Sequence, residues 1–210
     1  MSKARGLADL GNAYDDGALS SRNVLINGDF KVSQRGDYAT SAIVPNSGGY
    51  YLDRWADWGG VARTMQRLTA SISGVTQNTL KYVCTTGATG TYMGARQFVE
   101  AINLQDGQQY TISCMMRTNN ANVRIRTYDF NGLTGGVTSD ACPSDGNWHK
   151  ITLTQTHTSA VNPQVGFLIY SGTETTVDIA TNDYVEVANF QCEVGDTATP
   201  FEHRSYSDEL

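Results

Sequence analysis

Charge is scarce in this chain. Asp, Glu, Lys and Arg supply 17% of the 210 residues, against about a quarter in ordinary globular domains. Acids outnumber bases, 21 to 15, and the formal net charge is −6. A protein that tracks a phosphate backbone needs a basic stripe; Arg63/Arg67 and Arg124/Arg126 are the closest approach to one, diluted by polar neighbours, so nucleic acid is excluded as the expected partner. Long apolar runs are missing too, as is an apolar segment behind Met-Ser-Lys-Ala-Arg-Gly, so neither membrane insertion nor a secretory leader is expected. The four cysteines (Cys84, Cys114, Cys142, Cys192) form no C-x-x-C pair and are expected as reduced thiols in a protein made in a cytoplasm. No Asn-X-Ser/Thr sequon, G-x-S-x-G elbow, phosphate loop or H-E-x-x-H occurs. The three histidines, His149, His157 and His203, are scattered and read as solvated. Asp29 and Asp53 are dispersed acids that do not make a calcium site, and no metal or cofactor is assigned.

What is present is apolar residue content of 40%, with 3 Trp, 11 Tyr, 6 Phe and 21 Gly. That mix suits short strands joined by many turns. Residues 1–22 read as an N-terminal arm, because Gly6, Gly11 and Gly17 would interrupt a helix carrying Leu7, Leu10, Tyr14 and Leu19. Those four apolar residues exceed what a linker needs, and they are the candidate contacts of an attachment or assembly segment. Residues 23–210 read as one domain of about ten strands with no sustained helical period. The strands expected are Asn23–Phe30, ending in a turn at Asn27-Gly28, then Tyr50–Trp58, Val61–Leu68, Thr79–Thr85, Tyr92–Glu100, Gln109–Arg117, Ala121–Tyr128, Trp148–Thr156, Gln164–Tyr170 and Val177–Ala180. Gln164–Tyr170 is apolar on both faces and so central.

The chain closes on Tyr184–Val194. From Ala188 onward Phe190, Cys192 and Val194 share one face, and Asn189, Gln191 and Glu193 the other, which is expected to be wet. Val185 and Val187 lie in the opposite phase, so a bulge is expected near Val187. The pattern as a whole predicts an all-β, antiparallel β-sandwich or jelly roll.

Sugars are held by aromatic faces with planar polar side chains ordering the hydroxyls. The possible platforms are Tyr50, Tyr51, Trp55, Trp58, Tyr92, Tyr128 and Trp148. Trp55 and Trp148 are assigned to the core, whereas burial and exposure are equally open for Trp58 and Tyr128. Arg124 and Arg126, outward on the strand that ends at Tyr128, are the polar partners, although such arginines ordinarily form surface ion pairs. The carbohydrate-binding candidates are therefore Trp58, Tyr92, Arg124, Arg126 and Tyr128. Carboxylate pairs carry no weight for catalysis among 21 acids, and no enzyme is expected.

Four segments resemble a known group. Asn23-Val-Leu-Ile-Asn-Gly-Asp-Phe-Lys-Val-Ser-Gln-Arg-Gly36 and Tyr51-Leu-Asp-Arg-Trp55 are similar to the opening motifs of bacteriophage tail-fibre and related virion surface proteins. Val187–Arg204, with Ala-Thr-Pro-Phe-Glu-His-Arg at its end, resembles their closing motif, and Lys3–Gly17 a segment that precedes the domain. The resemblance implies a carbohydrate-binding-module-like jelly roll, a homotrimer, and a place on the virion surface, in tail or head, with the arm reaching other virion proteins. It also implies host attachment through cell-surface glycan. A short fibre, an adaptor or a capsid decoration without receptor binding are the other expectations, since Met1 opens on the arm and the chain stops at Leu210. A glycan-cleaving enzyme is the least supported.

Overall fold

A computed structural model describes residues 22–39, 42–45, 47–100, 104–130, 136–158, 163–170 and 178–203. The arm, with Leu7, Leu10, Tyr14 and Leu19, lies outside the described residues, as does the chain beyond His203. Eleven strands are described: β1 (Tyr50–Leu52), β2 (Trp55–Gly59), β3 (Ala62–Ile72), β4 (Val75–Thr86), β5 (Met93–Phe98), β6 (Gln109–Thr118), β7 (Val123–Tyr128), β8 (Val137–Thr138), β9 (His149–Thr156), β10 (Gln164–Ile169) and β11 (Tyr184–Val194). They form two antiparallel sheets, ordered β1-β2-β5-β10-β7-β8 and β3-β4-β11-β6-β9. The all-β sandwich expected from alternation is the fold observed, with no helix among the described residues.

The core fills the space between the sheets. β6 contributes Tyr110, Ile112, Cys114 and Met116, all buried, and β10 Val165, Phe167 and Ile169. All six residues of β10 are buried, as its apolar pattern demands. The centre is Trp55, whose ring meets Phe30 at 5.1 Å, Phe190 at 5.2 Å and Phe167 at 6.2 Å. Its indole N–H donates to the Asn27 carbonyl at 2.9 Å, so the largest apolar side chain of the core keeps its polar atom satisfied. One buried ion pair ties the sheets together at their edge: Arg63 of β3 donates to both carboxylate oxygens of Asp57 of β2. Burial pushes the Asp57 carboxyl above its ordinary range, and the Arg63 guanidinium opposes that shift.

Several expectations need correcting. Asn23–Phe30 is not a ladder strand: Asn27 and Phe30 take positive φ (57° and 55°), and the segment turns. It still runs beside the last strand, with Val24 N–H donating to the Cys192 carbonyl at 2.8 Å and Phe190 N–H to the Gly28 carbonyl at 2.8 Å. Gly28 is required there, since a Cβ would collide with the Phe190 carbonyl. Tyr50–Trp58 is two strands, broken at Asp53-Arg54, where Arg54 has φ 69°. Within the expected Val177–Ala180 strand only a bridge from Ile179 to Ala88 is described.

In β11 the phase change is real, placed between Ala188 and Gln191 with Asn189 at φ 54°. Val185, Val187, Ala188, Phe190 and Cys192 are thereby all buried, but Val194 is 59% exposed. The other face is not wet: Gln191 and Glu193 are buried, because the chain after Gly195 folds back over them. Thr199 donates its N–H and hydroxyl to the two oxygens of Glu193 at 2.8 and 2.7 Å, and Glu202 N–H donates to Gln191 at 2.8 Å. Arg22 and Asn23 tie the start of the domain to the same tail through Thr199 and Glu202.

His157 is likewise buried, its Nδ1 2.6 Å from the Phe130 carbonyl and its ring against Tyr110 and Phe130. His149, paired with Asp145 at 2.9 Å, is partly exposed and His203 is exposed. All four cysteines are buried and unbridged.

Candidate functional site

The outer face of the six-stranded sheet carries a groove of about 390 Å³ lined by Trp58, Tyr92, Arg96, Arg126, Tyr128, Leu168 and Tyr170. Strand register builds it. Trp58 of β2 stands opposite Gly94 of β5, which stands opposite Leu168 of β10, and that opposite Arg124 of β7. The next row runs Ala56, Arg96, Gly166, Arg126 and Thr138. Gly94 and Gly166 keep the floor low between taller walls. Neither accepts a side chain, because a Cβ would meet the Phe167 carbonyl at one and the Ala95 carbonyl at the other.

Aromatic rings and guanidinium groups alternate along the walls. Trp58 meets Tyr92 edge-on at 6.3 Å. Arg96 lies between two rings, its Cζ 4.7 Å from the Trp58 centroid and 5.1 Å from that of Phe98, and donates from Nη1 to Gln164 at 2.8 Å. Burial lowers the Arg96 pKa from its ordinary value. Arg126 packs 3.9 Å over the Tyr170 ring and 5.8 Å from Trp58, so the two walls meet across β5 and β10. Among the described residues the lining holds no carboxylate, histidine or cysteine. The groove can therefore stack flat apolar faces and donate hydrogen bonds; its lining offers no acid–base pair for bond cleavage.

The structure places Trp58, Tyr92, Arg126 and Tyr128 together in this groove. Arg124 shares the outer face of β7 but donates to the Ser139 carbonyl at 2.8 Å and does not line it. Arg96, Leu168 and Tyr170 were not among the sequence candidates. Alternation in Met93–Phe98 carries the signal for Arg96: Met93, Ala95 and Gln97 are buried, so Gly94, Arg96 and Phe98 share the other face.

The remaining platforms lie elsewhere. Trp55 is core. Tyr50 is 40% exposed beside Arg35, and Tyr51 packs against Tyr38. Trp148, assigned to the core from sequence, is only half-buried, under Arg117 at 4.8 Å. Asp29 pairs with Lys31 at 3.3 Å, and Asp53 accepts from Gln34 N–H at 2.7 Å. Among the described residues no three His, Cys, Asp or Glu side chains converge on a metal position.

The sequence matches no protein-family model and no curated protein. Solved structures do match. A structure of TmCBM61 in complex with β-1,4-galactotriose aligns over 83% of this chain and 100% of its own, with TM-score 0.51 and 13% identity. The enzymatically active domain of tailspike protein 4 from bacteriophage CBA120 aligns over 82% of this chain at TM-score 0.51 and 10% identity. This chain spans 21% of that one. At such identities the likeness is one of fold: the chain is a β-sandwich of the kind found in carbohydrate-binding modules.

Proposed function

We propose that this protein binds an oligosaccharide in the groove formed by Trp58, Tyr92, Arg96, Arg126, Tyr128 and Tyr170. The observation that carries the reading is a low glycine floor between aromatic and guanidinium walls, the geometry that a pyranose ring needs for stacking and hydrogen bonding. A structural neighbour that holds β-1,4-galactotriose on the same fold supports it. The groove binds and does not cleave. On a glycan array the wild type gives defined positives, and Trp58→Ala weakens those hits by about tenfold or more, as loss of a central aromatic anchor does. A wild type that binds no glycan at all refutes the reading.

We place this module on the surface of a tailed-phage virion, as a tail-fibre component that attaches to host glycan. The motifs of Asn23–Gly36, Tyr51–Trp55 and Val187–Arg204 support this, as does the fold shared with a phage tailspike domain. In that setting the protein is a homotrimer and its arm docks on other virion proteins. Immunogold labelling of intact particles tests the placement: label on the tail supports it, and label across the capsid lattice replaces it with a decoration role.

A further inference from the structure

We infer that the groove selects glycans bearing an anionic substituent (carboxylate, sulfate or phosphate) next to Arg96. The inference rests on the glycan-binding reading and adds the ligand's charge. It begins from where the ion pairs fall. Arg63, Arg117, Lys31 and Arg67 each face a carboxylate, namely Asp57, Glu186, Asp29 and Asp37. The half-buried Arg22, Lys81, Arg96 and Arg124 take part in no ion pair among the described residues, and of these four Arg96 is the one that lines the groove. The Nε of Arg96 is buried with no hydrogen-bond partner.

A guanidinium partly withdrawn from water without a carboxylate in contact is unfavourable; here two aromatic faces and one amide oxygen touch it, and the Asp57 carboxylate acts on it only from a distance. The same enclosure holds the group rigid. Its fork geometry suits a planar carboxylate or a tetrahedral oxyanion, and the low dielectric of an aromatic groove strengthens that pairing. The protein as a whole is acidic, at −6, so its net charge does not itself draw anions to the groove. A neutral sugar can fill the groove, but only an anionic one also brings a counter-charge into contact with Arg96.

The test uses matched pairs. Alginate, polygalacturonate and hyaluronate oligosaccharides are each compared by calorimetry with their carboxyl-reduced counterparts, and chondroitin sulfate oligosaccharides with their desulfated form. The wild type is expected to prefer the charged member of at least one pair by about tenfold, the scale of one charge-assisted contact. The carboxyl and sulfate pairs separate the two sources of charge. Raising NaCl from about 50 to about 500 mM should narrow the preference. Arg96→Gln should bring the charged-to-neutral ratio close to one, and Arg96→Lys should keep part of it. If neutral members or neutral xylo-, gluco- or galacto-oligosaccharides bind as well as charged ones, the inference falls while glycan binding stands. If the folded wild type binds neither kind, both fall. The wild-type ratio decides the matter even if an Arg96 variant does not fold.

Discussion

Asp57 and Arg63 are 1% and 4% exposed, so their two side chains are withdrawn from water together. The carboxyl is held above its ordinary range by burial, with Arg63 as the chief opposing influence. A carboxyl group with a raised folded pKa contributes its full stability below the unfolded value near 4, and loses it as pH rises through the folded value. Arg63→Met removes the opposition, raises the folded value further and deepens that loss. Urea unfolding across a pH series should therefore show a small deficit for Arg63→Met near pH 4, widening to about 3–5 kcal/mol at pH 7. A deficit that narrows with rising pH would contradict this account. Replacing both residues, as Asp57→Leu with Arg63→Met, should recover most of the loss. At this same scale the groove was partly legible. Trp58, Tyr92 and Tyr128 are large rings next to turns, and Arg126 alternates with Ile125 and Thr127. Arg96 was only half legible: alternation in Met93–Phe98 puts it on the outer face, but only the register sets it opposite Gly166 and beside Trp58.

Among the elements, β11 shows what a period of two can and cannot reveal. Its inward residues and the break in phase were legible, since the same apolar set cannot face one core without an extra residue in the strand. The burial of Gln191 and Glu193 was not, because polar residues in the outward phase look solvated unless the segment that covers them is known. That segment is Asp196–Glu202, and its key is Thr199, which donates to both Glu193 oxygens and accepts from Gln191 at 3.3 Å and Arg22 at 3.1 Å. Thr199→Val keeps the shape but leaves buried Glu193 short of a donor. Chemical denaturation should show a loss of about 1–3 kcal/mol, with Thr199→Ser recovering most of it. An unchanged midpoint for the valine variant would mean the tail is not a structural clasp. In the opening segment Asn23–Phe30, Leu25 and Phe30 do lie in the core and Val24 packs against it, but positive φ at Asn27 and Phe30 turns the chain between them out of a strand.

For the whole molecule, the three motif segments within the described residues meet at one point. Phe30, Trp55 and Phe190 come from the opening, second and closing motifs, and the rings of Phe30 and Phe190 both pack against Trp55. The motifs are therefore a structural seam, and the groove lies on the opposite side of β2, β5 and β10, free to vary without disturbing it. Such a division suits a module whose fold is kept while its ligand changes. Arg22 and Asn23 are the first residues seen tied to the closing tail, through Thr199 and Glu202. A chain lacking residues 1–20 retains every one of those bonds. Its melting temperature should stay within about 3 °C of wild type, the shift that about 1 kcal/mol produces in a domain of this size. Its glycan affinity should not change, whereas its incorporation into particles, measured by complementation, should be lost if the arm is the attachment segment. Sedimentation of the full-length and truncated chains tests the proposed trimer separately: a monomeric full-length chain removes it, trimers of both assign assembly to the sandwich, and a trimer lost on truncation assigns it to the arm. A truncated chain that fails to fold would instead make the arm part of the core.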